Sequence, residues 1–189
     1  MSSVRTMGAP LPRSLGRDRS TWWAGPLAVA LAAGTFVHLG SDANAAAWAL
    51  VQVVLVALAA IDVATRLLPN RITLPVSALA VALRAADERS ALLEVVVAGI
   101  AAFAVFYVVA ILVRGGFGMG DVKLAAMLGF LLGKAVVAAL LVGVVAGGLW
   151  SAALLLTRRA GMRTSIAYGP FLALGGAAAI LFSNPPPLV

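Results

Sequence analysis

Gly118-Met119-Gly120-Asp121, followed without a break by VKLAAMLGFLLGKAVVAALLVGVVAGGLWSAALLL from Val122 to Leu156, decides the fold class of this chain. The apolar run is 35 residues long and carries only Lys123 and Lys134 as charges. About 20 apolar residues make one membrane-crossing helix, so the run is too long for one and is divided at Gly133-Lys134 into two. At about 1.5 Å per residue it reaches roughly 52 Å, against about 60 Å for two full crossings. One of the two is therefore short. Asp121 stands at the head of the run. A carboxylate at the centre of a membrane helix costs about 2.5–3.5 kcal/mol on insertion scales, so such groups are retained where they do something.

Further spans lie on either side of this run. They are expected at Trp22 to Leu39, Ala45 to Ile61, Ile72 to Ala86, Leu92 to Val113 and Ile166 to Phe182. With the divided run they make seven. The span from Ile72 is short. The prolines at 185–187 end the last one, because proline cannot continue a helix. Of the 189 residues, 62% are hydrophobic and 11% charged, with a mean hydropathy of +1.05. Soluble domains are nearer half apolar and a quarter charged, so an all-α integral membrane protein is expected. Glycines 115, 116, 118 and 120 supply irregular backbone, which is tolerated at membrane depth only in protein or along a wet cavity.

The net charge of +7 could point to nucleic acid, but the placement of the charges argues otherwise. Eleven of the fourteen basic residues fall on one side once the spans are drawn. They are Arg5, Arg13, Arg17, Arg19, Arg66, Arg71, Arg114, Lys123, Arg158, Arg159 and Arg163. Arg84, Arg89 and Lys134 fall on the other. This is the positive-inside pattern, and it places the N-terminus in the cytoplasm and the C-terminus outside. The basic face can contact anionic lipid, and no nucleic acid is expected. The first span can also be read as a signal peptide, with small residues from Ala43 to Ala47 as its end. That leaves the later spans in the same orientation. Cysteine is absent from the sequence, so disulfides, thiolate zinc sites and cysteine nucleophiles are out.

Seven acidic residues remain to be placed. Asp18 lies in the basic tail, Asp42, Asp87 and Glu88 in external loops, and Glu94 near the outer end of the fourth span. Asp62 ends the second span and Asp121 begins the fifth, both at the cytoplasmic face. Two facing carboxyls suit amide hydrolysis. The protonated one polarises the carbonyl and the ionised one takes a proton from water. Like charges a few Å apart cannot both ionise, so proximity creates that asymmetry. The plainer reading is structural, with Asp121 as an N-cap and Asp62 pairing with Arg66 at i,i+4.

Gly118-Met119-Gly120-Asp121-Val122-Lys123-Leu124 resembles the GxGDxKL signature of type IV prepilin peptidases, a group of GxGD membrane aspartic proteases. Ile61-Asp62-Val63-Ala64-Thr65-Arg66-Leu67-Leu68-Pro69-Asn70, with Thr73-Leu74-Pro75, resembles that family's other aspartate block. Arg158-Arg159 and the stretch from Ile166 through Tyr168-Gly169-Pro170 to Gly175 resemble its C-terminal block. The three occur in family order. The resemblance implies that Asp62 and Asp121 are the catalytic pair, with Gly118, Gly120, Lys123, Pro69 and Asn70 as supporting motif residues. It implies a bacterial cytoplasmic-membrane endopeptidase that removes the basic leader from prepilin-like or pseudopilin precursors at the cytoplasmic face. No cofactor and no metal are expected.

The pattern also departs from the family. Its long forms carry a cytoplasmic segment, often with two CxxC pairs, and N-methylate the new N-terminus. With no cysteine and no insertion between the first spans, a peptidase-only short form is expected here. Ala167 stands where the family usually has proline. Tyr168, Gly169 and Pro170 either form a plain turn with an N1 proline or line the cleft and contact substrate. Lys123 reads as a snorkelling interface anchor, and Gly143, Gly147, Gly148, Gly175 and Gly176 as helix-packing positions. The expected organisation is a basic tail over 1–21, one polytopic membrane domain over 22–183 with its peptidase core at about 45–183, and a Pro-rich tail over 184–189. Two other functions fit the carboxylates: a GxGD protease cutting other substrates within the bilayer, and a catalytically silent assembly or transport protein.

Overall fold

The computed structural model describes residues 21–87, 89–112, 118–157, 167–183 and 185–188. Residues 1–20 of the basic tail, Glu88, Arg114, Gly115, Gly116, Arg158, Arg159, Arg163 and Ile166 lie outside the described residues. The described chain forms seven α-helices: α1 (Ala24–Leu39), α2 (Ala43–Thr65), α3 (Asn70–Asp87), α4 (Arg89–Leu112), α5 (Met119–Leu132), α6 (Val136–Leu156) and α7 (Gly169–Phe182). Each lies where the sequence places a span. A 3-10 turn, Gly133–Ala135, separates α5 from α6 at the expected division.

The division has a physical cause. Gly133 has φ +55°, a left-handed conformation that favours glycine. The Glu94 carboxylate accepts a 3.0 Å bond from the backbone N–H of Lys134, satisfying a donor freed by the break. At the start of α2 the Asp42 carboxylate caps the helix by accepting from Ala45 N–H at 2.8 Å. The last turn of α2 closes when Arg66, at φ 55°, donates its N–H to the Asp62 carbonyl at 2.8 Å. Chain then passes through Leu67 and Leu68 to Pro69, whose carbonyl receives the N–H of Ile72 at 3.0 Å and so opens α3.

Three helical segments are long and apolar enough to cross a membrane: Ala43–Thr65, Leu92–Leu112 and the combined Met119–Leu156 unit. α1 and α7 are apolar but shorter. α3 is not among the crossing-length apolar segments, because Asn70, Arg71, Arg84 and Asp87 reduce its apolar character. The outward faces of the bundle are apolar, as at Val97, Ile100, Val105 and Ile111 of α4. Continuous exposed apolar faces of this kind suit lipid rather than water.

α5 is the axis of the bundle. Val122, Leu124, Ala125, Met127, Leu128, Leu131 and Leu132 are all buried, as a helix apolar on every side requires. α3, α4 and α7 pack around it, and α7 in turn packs against α2 and α6. Small residues set these approaches. A Cβ on Gly129 would stand 2.6 Å from Gly99 Cα, so α4 and α5 meet backbone to backbone. Gly175 abuts the Ala139 carbonyl, and Gly176 makes room for the side chains of Leu128 and Leu55. Gly143 and Gly147 are likewise occluded by Phe171, Leu172 and Tyr168. Gly148 differs from the packing role expected for it: nothing lies within 4 Å of where its Cβ would be.

Residues 185–188 are non-helical and return to the bundle. Arg84, buried in α3, donates from Nη2 to the Pro186 carbonyl at 2.8 Å, and Leu188 N–H donates to Asn44 Oδ1 at 2.7 Å. Arg84, which the sequence counts only as an outer-side charge, anchors this returning segment.

Candidate active site

Asp62 lies in the last turn of α2 and Asp121 in the first turn of α5. The two elements bring them to one end of the bundle. Asp62 is 5% exposed and Asp121 8%, and the two lie close enough to interact. They come from chain positions with no local relationship, so packing of α2, α5 and α7 alone creates the pair.

Each carboxylate is held by a glycine amide. Gly118 N–H donates to Asp121 Oδ2 at 3.2 Å. Gly118 is the N-cap of α5 and Asp121 its third residue, so the carboxylate folds back onto the cap. Asp121 was expected as the N-cap itself and sits one turn inside instead. Gly169 N–H, at the start of α7, donates to Asp62 Oδ2 at 3.0 Å. A Cβ at Gly169 would stand 2.7 Å from that oxygen, so only glycine lets the amide reach it. Two glycine N–H groups thus orient two carboxylates and still leave each with acceptor capacity.

The three sequence blocks converge here. Asp62 belongs to the first and Gly169 to the third. Lys123, of the GxGD block, donates from Nζ to Asn70 Oδ1 at 2.9 Å, which ties α5 to the start of α3. Lys123 is therefore a cross-helix tie, whereas it was expected as a snorkelling anchor. Pro69 shapes the N-terminus of α3 that presents Asn70. Gly120 packs against Leu68, whose Cβ would lie 3.0 Å from a Cβ at 120. Gly118 is exposed.

Tyr168 precedes α7, and its carbonyl receives Phe171 N–H at 3.1 Å. Its hydroxyl donates to the Val144 carbonyl of α6 at 3.1 Å, and its ring fills the hollow above Gly147. Pro170 is the second residue of α7 rather than the first. Sequence reasoning had grouped Tyr168, Gly169 and Pro170 as cleft or turn, and missed that the Gly169 amide holds Asp62. Among the described residues no group of three or more His, Asp or Glu could hold a metal ion.

A family model described as the Type IV leader peptidase family matches residues 49–152, which include both aspartates. A Burkholderia pseudomallei (strain K96243) protein named prepilin leader peptidase/N-methyltransferase is 35% identical over 164 residues, 82% of this chain and 52% of the relative. A protein of that name from Bacillus subtilis (strain 168) is 33% identical over 131 residues, 69% of this chain and 53% of the relative. One from Stutzerimonas stutzeri is 32% identical over 153 residues, 78% of this chain and 53% of the relative. The chain spans about half the length of the curated relatives it matches. No solved structure matches it. With a matched model over more than half its length and both aspartate blocks inside that match, the chain belongs to the type IV leader peptidase family.

Proposed function

We propose that this protein is a multi-pass membrane aspartic endopeptidase that removes the basic leader from type IV prepilin-like or pseudopilin precursors. Asp62 and Asp121 are its catalytic pair. The observation that carries the reading is the juxtaposition of these two buried carboxylates, each oriented by a glycine amide. Family membership supplies the chemistry of the substrate class.

In the proposed reaction one carboxyl is protonated and hydrogen-bonds the scissile carbonyl, while the ionised one takes a proton from water. The water oxygen adds to the carbonyl carbon. The tetrahedral intermediate then collapses as the leaving amine receives a proton from the pair. The glycine amides hold both side chains in place without spending a second carboxylate oxygen, so nothing need reorganise at the moment of attack. Exposed Gly118 offers the side from which an extended substrate approaches.

The topology proposed is seven spans, with the N-terminus and active site on the cytoplasmic side of the bacterial plasma membrane and the C-terminus outside. It rests on the one-sided distribution of Arg and Lys. The chain is a basic tail at 1–21, a single polytopic membrane domain over 22–183 with its peptidase core at about 45–183, and a Pro-rich tail at 184–189. Anionic lipid faces the basic side. The proposal covers leader removal only and includes no methyl transfer.

Co-expression with a prepilin-like precursor tests it. Leader removal is expected with the native protein and is lost in both Asp62→Ala and Asp121→Ala. Cleavage that persists in both variants overturns the reading. Cleavage mapped within a substrate's apolar segment, away from the basic leader, shifts it to a protease of other membrane substrates.

A further inference from the structure

A buried amide halfway along α2 lies outside the site described so far. Gln52 is 0% exposed, and its Nε2 donates a 3.2 Å hydrogen bond to the Ala177 carbonyl of α7. Asp62 lies ten residues further along α2, and Gly169 eight residues back along α7. These offsets correspond to about 15 Å and about 12 Å of helix. The same two helices are therefore tied at two levels, by Gln52 and Ala177 in the interior and by Asp62 and Gly169 at the site. Moving back along α2 matches moving forward along α7, so both ties belong to one antiparallel register.

Between the ties the interface is apolar: Leu55, Leu58 and Ala59 on α2, and Leu172, Ala173 and Gly176 on α7. Apolar contact is non-directional and holds helices together without selecting one register sharply. A hydrogen bond is directional and weakens steeply as it is misaligned. A slip of one residue between α2 and α7 displaces the Gly169 amide by about 1.5 Å along the axis and rotates it away.

The amide is also a poor choice for stability alone. Gln52 Oε1 has no hydrogen-bond partner among the described residues, nor has the indole Nε1 of Trp48, which is fully buried one turn earlier on α2. A buried acceptor left unpaired costs stability, and an apolar side chain of the same shape avoids that cost. We propose that Gln52 is a positioning residue: its bond to the Ala177 carbonyl sets the register of α7 on α2 and thereby seats the Gly169 amide on Asp62. It touches no reacting atom and acts through Asp62, so the inference rests on the proposed role of that aspartate.

Gln52→Met tests it, because methionine keeps the length and volume and removes the amide. The expected result is a fall in kcat of roughly tenfold or more with KM within about twofold, as a small misplacement of a catalytic group produces. The unfolding temperature in detergent is expected not to fall. With glycine-selective 15N labelling, the Gly169 amide signal is expected to move. Gln52→Asn keeps the amide but shortens its reach, and is expected to lose kcat as the methionine variant does. An unchanged kcat with an unmoved Gly169 amide overturns the inference. So does a loss of activity that only tracks a lower unfolding temperature, or failure of the methionine variant to fold. If the native protein cleaves no precursor, the proposed function fails separately, and the Gly169 amide comparison still decides the register claim.

Discussion

The Gly169 amide reaches back across 107 residues of chain to hold Asp62 Oδ2 at 3.0 Å. Through this bond the C-terminal block orients the first aspartate. The second is oriented locally, by Gly118 three residues before it. One half of the pair is built by the sequence around it and the other by a distant helix terminus.

Gly169→Ala is therefore expected to be a specific defect. Its Cβ would stand 2.7 Å from the Asp62 oxygen and push the carboxylate aside. A displacement of about 1 Å costs on the order of a hundredfold in rate. Precursor cleavage should fall by about that factor while helix content, followed by circular dichroism, stays unchanged.

Asp62→Asn and Asp121→Asn are each expected to reduce cleavage by roughly a thousandfold or more, and the double variant should be little worse than either single one. Residues that act as a unit are not additive. Initial rates of leader removal for the three variants check this. Additive losses would show that the two side chains work independently.

The Lys123 and Asn70 side chains should be energetically coupled. Their 2.9 Å bond joins α5 to α3 at the site. A double-mutant cycle with Lys123→Met and Asn70→Ala, read by unfolding in detergent, is expected to give a coupling of about 1 kcal/mol. A snorkelling lysine would give none.

Two glycines that look alike in sequence should respond in opposite ways to alanine. At Gly129 a Cβ would meet backbone of α4 at 2.6 and 2.7 Å, so α4 and α5 must separate, at a cost of about 1–3 kcal/mol. At Gly148 nothing stands within 4 Å, and alanine is expected to be neutral or to stabilise by up to about 1 kcal/mol through helix propensity. Unfolding temperatures of the two variants make the comparison.

Much of the fold was legible because in lipid the chain has few choices. Apolar runs must satisfy their own backbone groups and become helices. The seven runs and the break at Gly133 follow from that constraint, and drawing the spans then put Asp62 and Asp121 at helix ends on the same side. Interhelical detail was not legible. Nothing in the local pattern distinguishes Gly148, which faces open space, from Gly147, which houses the Tyr168 ring. Lys123 read as an anchor because the side chain that would receive it lies 53 residues away. Arg84 read only as an outer-side charge because the Pro186 carbonyl that binds it lies 102 residues off.

By itself the sequence located the helical runs, the break at Gly133 and the two aspartates, since hydropathy, glycine and charge act over one or two helical turns. Only the tertiary structure decided which helices touch. That brought Gly169 to Asp62, Lys123 to Asn70 and Gln52 to Ala177. Each of these is a directional bond between groups far apart in the chain. Such bonds form only between groups that helix packing brings together, and no local run of residues names both partners.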